Sequence, residues 1–274
     1  MSGLFADTHI HLEQYAPEEA ERMLREFRSA GGAYVVAVSM NLESARRTER
    51  LARQYPGLVR PAYGFHPEQP LPSAEEEEAL FAWMERRTAL GEAAAAEGAP
   101  RPMVAVGEVG LPYYSRQEAA ERGEALDEAG YVRLLERFVV FAARHDLPIV
   151  LHAVYEDADT ACDLLERHGV RRAHFHWFKG SAETVERMIA SGYSISFTPD
   201  ILYEDEIREL ALRYPADRVM SETDGPWPFE GPFAGQATHP SMTADVCREW
   251  AALRGLSEAE AQVVLLANAE RFYG

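Results

Sequence analysis

The 274-residue chain carries 45 acidic against 27 basic side chains, a formal charge of −18. A field of that sign repels polyanions and anionic membranes, which argues against a stable nucleic-acid complex or a role at a membrane surface. There is no apolar run of the roughly 18 residues a membrane span needs, and a chain of this length fits one large domain. Cys162 and Cys247 lie far apart, each inside a helical pattern, and read as packing residues of a reducing compartment. The opening residues carry no basic segment followed by an apolar stretch, so a soluble, unexported, cytoplasmic protein is expected.

Short β-branched or apolar runs alternate with longer amphipathic ones. Strands are predicted over residues 4–9, 34–39, 59–65, 103–108, 148–152, 172–176, 193–197 and 219–222. Helices are predicted between them over 17–30, 44–54, 74–88, 127–145, 157–168, 182–191 and 205–213, with two closing helices over 242–253 and 257–267. Pro17 at a helix start and Gly169 and Gly192 at helix ends are the expected punctuation. Eight such units predict an α/β fold of the (β/α)8 TIM-barrel type in a single domain. Two segments stand outside the pattern: 90–100, rich in Ala and Gly, reads as a surface excursion, and 226–240, rich in Pro, Gly and aromatics, as a loop placed to cover a site.

The polar residues cluster at the downstream ends of these strands. The first strand ends in Asp7-Thr8-His9-Ile10-His11, and alternation puts both imidazoles on one face. Strand three leads to His66, strand four to Glu108, strand five to His152, strand six to His176 and strand eight to Asp224. In a closed barrel these ends share one mouth, so seven metal-ligating side chains converge there. Glu222 shares a face with Asp224 and suits orienting a ligating histidine, and His174 lies one layer below His176 in a supporting position. His145, His168 and His239 fall on helix ends or a loop and receive no metal role.

The segments Asp7-Thr8-His9-Ile10-His11, Gly64-Phe65-His66-Pro67, Gly107-Glu108-Val109-Gly110-Leu111, Leu151-His152, His176-Trp177-Phe178-Lys179-Gly180 and Glu222-Thr223-Asp224-Gly225-Pro226 run in order through the chain. Together they resemble the TatD family of metal-dependent deoxyribonucleases. The resemblance implies a TIM barrel holding two divalent ions, Zn, Mn, Co or Mg. By matching positions, His9, His11 and Asp224 would hold one ion and His152 and His176 the other, with Glu108 bridging them. It further implies phosphodiester hydrolysis by a metal-activated water, with Glu108 and Asp224 as the catalytic carboxylates and Asp224 accepting the proton.

Three departures bear on the substrate. Gly110-Leu111-Pro112 stands where family members usually have Gly-Leu-Asp, and His152-Ala153-Val154 where they have His-x-Arg. Residues 225–247 contain no Lys or Arg, and Thr238-His239-Pro240 replaces an Asn-Glu-Pro. Lost cations weaken phosphate contacts, which favours a small or uncharged substrate over long DNA. Lys179, the only lysine, reads either as a phosphate anchor or as a solvated loop residue. His66, Lys179, Tyr114 and Trp177 are the candidate substrate-binding residues, and Tyr113, Trp227 and Phe229 are further candidates for aromatic walls at the mouth. The leading expectation is a deoxyribonuclease-like hydrolase acting on DNA or a small phosphoester. The alternatives are a hydrolase of small amides, lactones or phosphoesters, and a metal-stabilised binding protein without turnover.

Overall fold

The computed structural model describes residues 4–97 and 99–274, with the side chains of 92–97 left aside. Eight parallel strands follow one another around a barrel in sequence order. They are β1 Phe5–Ile10, β2 Gly32–Ala37, β3 Val59–Tyr63, β4 Ala105–Gly110, β5 Ile149–His152, β6 Ala173–Phe175, β7 Ser194–Phe197 and β8 Val219–Ser221. The helices are α1 Pro17–Ser29, α2 Leu42–Gln54, α3 Ala74–Glu97, α4 Tyr113–Glu121, α5 Glu128–Arg144, α6 Glu156–His168, α7 Ala182–Ser191, α8 Asp205–Arg213, α9 Thr243–Arg254 and α10 Glu258–Tyr273. This is the predicted TIM barrel. Among the described residues no helix is long and apolar enough to cross a membrane.

Local chemistry accounts for most boundaries. Asn41 and Ser44 form a reciprocal capping box that starts α2, and Ser257 with Glu260 does the same for α10. Gly169, Gly192 and Gly255 end α6, α7 and α9 in the left-handed conformation that glycine adopts without strain. The strands are buried along nearly their whole length, as parallel strands covered by helices must be.

Two expectations need correction. Residues 90–97 are no excursion: they continue α3 to Glu97, because Ala93–Ala96 are the strongest helix formers available and the single Gly91 is tolerated within the helix. Gly98, within the segment expected to be an excursion, lies outside the described residues. The second is α4, which went unpredicted because Ala119 is its only buried residue. With no apolar stripe there is no period to read.

The barrel seam between β8 and β1 is held by side-chain and backbone hydrogen bonds. Thr8 Oγ1 donates to the Ser221 carbonyl at 3.1 Å, Ser221 Oγ donates to the Ala6 carbonyl at 3.0 Å, and the Asp224 N–H reaches the His9 carbonyl at 2.8 Å. Asp7, wholly buried, accepts both the N–H and the hydroxyl of Thr223. The seam therefore ties the strand bearing His9 to the loop bearing Asp224. Thr8→Val keeps the shape and removes one buried bond, so the metal-free protein should lose about 1–3 kcal/mol, read as a lower urea midpoint at unchanged m value.

Candidate metal centre

Glu108 stands near the end of β4, completely buried, at the centre of five imidazoles. Its Oε2 lies 3.1 Å from His9 Nε2 and 2.9 Å from His11 Nε2. Its Oε1 lies 2.7 Å from His176 Nε2, 3.2 Å from His152 Nδ1 and 3.3 Å from His66 Nε2. Asp224 Oδ1 closes the first side, 3.3 Å from His9 Nε2 and 3.7 Å from His11 Nε2. Glycine makes this approach possible. A Cβ on Gly110 would fall 1.9 Å from the His152 carbonyl oxygen, and one on Gly64 would fall 2.5 Å from the Glu108 carbonyl oxygen.

The donor set fits divalent cations. His9, His11 and Asp224 form one group whose ligand atoms lie within 4.8 Å of one another, and Glu108, His152 and His176 form a second. Glu108 Oε1 and Asp224 Oδ1 are buried without a directed hydrogen bond although imidazole nitrogens crowd them. Carboxylate oxygens and imidazole nitrogens gathered this closely in a buried cluster are donors that a divalent cation would satisfy.

The outward ring nitrogens are oriented by a surrounding layer of groups. His176 turns Nδ1 toward Glu222 Oε1 at 3.7 Å, and the same oxygen accepts the Trp177 N–H at 2.7 Å. His152 bonds through Nε2 to Glu68 Oε1 at 3.2 Å, which leaves Nδ1 facing Glu108. His11 Nδ1 faces Glu13 at 3.7 Å. His66 differs: its Nδ1 accepts the Glu68 N–H at 3.1 Å, so the neutral ring carries its proton on the inward Nε2. Burial holds the His66 pKa below its ordinary value despite Glu108, so this ring is a neutral N–H donor at the rim. His174 sits beneath, bonded to Tyr273 OH and Ser196 Oγ at 2.6 Å each and 3.9 Å from Glu222.

Electrostatics follow from burial against pairing. Burial alone would raise Glu108, but the imidazoles that crowd it outweigh burial and hold the carboxyl well below its usual range. Burial works against a charged His11, yet Glu108 and Glu13 together lift it to about 10. His176 and His152 are raised in the same way. Asp224 falls below the ordinary aspartate value because its histidine neighbours overcome its burial. Two of these loops hold left-handed backbone without glycine, with φ of 49° at Asp224 and 39° at Trp177. Such positions store local strain and cluster at sites that need fixed side chains.

The mouth gathers the remaining candidates. Trp177 packs against Trp227 and Phe229 at 5.8 and 5.6 Å between centroids, and its indole N–H donates to Asp200. Phe229, Phe233 and Met242 anchor the 226–240 loop against Trp177, Leu202 and Tyr203. Tyr114 is half-exposed, its ring 6.0 Å from that of His152. Lys179 follows His176 on the β6 loop and its charge is felt by Asp200, whose carboxyl burial lifts to about 6. His145, His168 and His239 pair instead with Glu85, Glu136 and Glu26 away from the cluster.

Three participating carboxylates escaped the sequence reading. Glu13 lies two residues past His11, Glu68 lies two residues past His66, and Asp200 stands past strand seven, which was left without a polar candidate. Spacing held the signal in each case.

An eight-stranded (β/α)8 barrel with this buried His, Glu and Asp constellation at its mouth defines a metal-dependent hydrolase. The sequence model of the TatD related DNase family matches residues 6–274. A Haemophilus influenzae protein named as an uncharacterized metal-dependent hydrolase is 37% identical over 267 residues, covering 97% of this chain and 98% of its own. Human deoxyribonuclease TATDN3 is 26% identical over 270 residues, covering 97% of this chain and 93% of its own. The crystal structure of the Escherichia coli TatD homolog YjjV superposes with a TM-score of 0.78 at 28% identity, covering 100% of this chain and 99% of that one. The chain belongs to the TatD family.

The raised histidines make a signed prediction for protein stripped of metal. A group lifted on folding stabilises fully below its unfolded pKa, about 6.5 for imidazole, and that contribution is lost as pH rises through the folded value. The chelator-treated protein should therefore lose stability from pH 6.5 toward pH 10, the value to which His11 is lifted, measured as a falling urea midpoint. Added metal should reverse the trend, because cation binding is favoured as ligands lose protons.

Proposed function

We propose that this TatD-family hydrolase cleaves phosphodiester bonds in short or small substrates, using two divalent ions. In this reading His9, His11 and Asp224 would hold one ion and His152 and His176 the second, with Glu108, which faces both sets, shared between them. The observation that carries it is the single buried carboxylate whose one oxygen faces His9 and His11 and whose other faces His152 and His176. Mixed imidazole and carboxylate donors suit Zn, Mn, Co or Mg. A bound pair supplies Lewis-acid stabilisation of developing negative charge and makes water a usable nucleophile near neutral pH.

The chain's own groups do the rest. Asp224 is ionised at neutral pH and stands at the open side of the cluster, placed to accept the proton that the attacking water gives up. His66 offers a neutral N–H to a substrate oxygen. Lys179 is the anion anchor: among the described residues it makes no ion pair within 4.0 Å, whereas Arg116 at the same rim is held by Asp157 at 2.8 Å and Glu156 at 3.1 Å. Tyr114 and Trp177 form the aromatic walls. The deoxyribonuclease names of the family and of the human relative support the phosphodiester assignment. A chain of charge −18 with Lys179 as the proposed anchor supports a substrate with few phosphates. A reducing, cytoplasmic setting accords with Cys162 and Cys247, both buried and unpaired. The same shortage of cations favours, as a second reading, small esters or lactones.

Purified protein with Mn or Mg should cleave oligonucleotides of a few residues faster than long duplex DNA. Asp224→Asn should lower kcat by about 100-fold or more. Inactivity on every oligonucleotide alongside turnover of lactones would transfer the assignment to the second reading. Lys179→Ala should raise KM about tenfold for phosphodiesters and leave neutral esters unchanged, since a hydrogen bond to a charged group is worth about 1.5–3 kcal/mol.

A further inference from the structure

Glu68 is absent from both ligand groups, yet its side chain joins three elements. Oε1 accepts the Tyr114 N–H at 2.9 Å and faces His152 Nε2 at 3.2 Å, while Oε2 accepts the Ser115 N–H at 2.7 Å. Tyr114 and Ser115 are the second and third residues of α4, and the cap residue before that helix is Pro112, which has no side-chain oxygen. An Asp, Asn, Ser or Thr at a cap position accepts from the N–H of the second or third helical residue. Here the acceptor arrives from the β3 loop, where a negative charge also suits the positive end of the α4 dipole.

We infer that Glu68 is a positioning residue that caps α4 in place of position 112 and, with the same carboxylate, turns His152 so that Nδ1 faces Glu108. This rests on the metal-centre reading proposed above. The backbone of the residue acts too, since its N–H fixes the His66 ring in the opposite sense. One residue thus presents a lone pair from His152 and a proton from His66 to the same cavity. It also couples the α4 tyrosines at the mouth to a ligand of the second ion.

The two roles share one carboxylate position, which makes the inference testable by moving the carboxylate. An aspartate at 112 would accept from the same Tyr114 and Ser115 N–H groups and stand where the Glu68 carboxylate now meets His152. Zinc affinities of the two sites are measured by competition with a chromophoric chelator for wild type, Glu68→Ala, Glu68→Gln and Glu68→Ala with Pro112→Asp, with melting temperatures of the metal-free forms. Loss of an orienting partner typically weakens metal binding 10–100-fold. Glu68→Ala should therefore weaken one ion by about that factor and spare the other, and Glu68→Gln should weaken the same ion, by about tenfold. Pro112→Asp should restore binding to within about threefold of wild type. The inference is overturned if both Glu68 variants bind two ions as tightly as wild type or weaken both equally. It is also overturned if the double variant melts like wild type without metal yet stays as weak as Glu68→Ala. If Glu68→Ala does not fold, Glu68→Gln decides alone. A wild-type protein that takes up fewer than two ions overturns the metal-centre reading itself, a result read before any variant is compared.

Discussion

The structure is organised around one buried carboxylate. Glu108 has no exposed surface, and a lone ionised carboxyl in that setting would be untenable without opposite charge beside it. Five imidazoles from four other strand ends surround it, and they converge only because a parallel barrel points all of its strand ends at one mouth. Close packing of β3, β4 and β5 over Gly64 and Gly110, the side-chain seam between β1 and β8, and the left-handed backbone at Asp224 all serve that convergence. A side chain at either glycine would push the strands apart and separate the carboxylate from its partners.

Around this centre a layer of carboxylates assigns each ring a direction. Glu222, Glu68 and Glu13 face the outward nitrogens of His176, His152 and His11, and each leaves the inward nitrogen turned to the centre. His66 receives a backbone N–H instead, and the difference in partner separates a rim donor from the ligand type. Ring orientation is therefore decided by what lies behind each histidine.

The mouth has a different chemistry from the centre. Its walls are aromatic, its arginine is neutralised by neighbouring acids, and the 226–240 loop is held by apolar packing onto Trp177 and Tyr203. The proposal of a small or flat substrate anchored by Lys179 rests on that opening and on the acidic balance of the chain.

How much of this could be read from residues alone depended on range. The eight strands, the barrel class and the metal-type histidines and carboxylates were legible because alternation and the downstream placement of polar residues are local patterns, and parallel strands place their ends together by topology. His9, His11, Glu108, His152, His176 and Asp224 were singled out that way and through family resemblance, and the structure brings them together in one buried cluster. The extent of α3 was misjudged because Gly91 and the following alanines read as loop when considered singly, and α4 lacked an apolar face to betray it. Sequence order by itself thus determined the fold class and the inventory of ligand-type groups, through short-range periodicity. Tertiary structure alone decided which nitrogen of each imidazole faces inward, that Glu68 stands behind His152 from 84 positions away, and that Arg116 is already paired, because hydrogen bonds between distant loops leave no period in the chain.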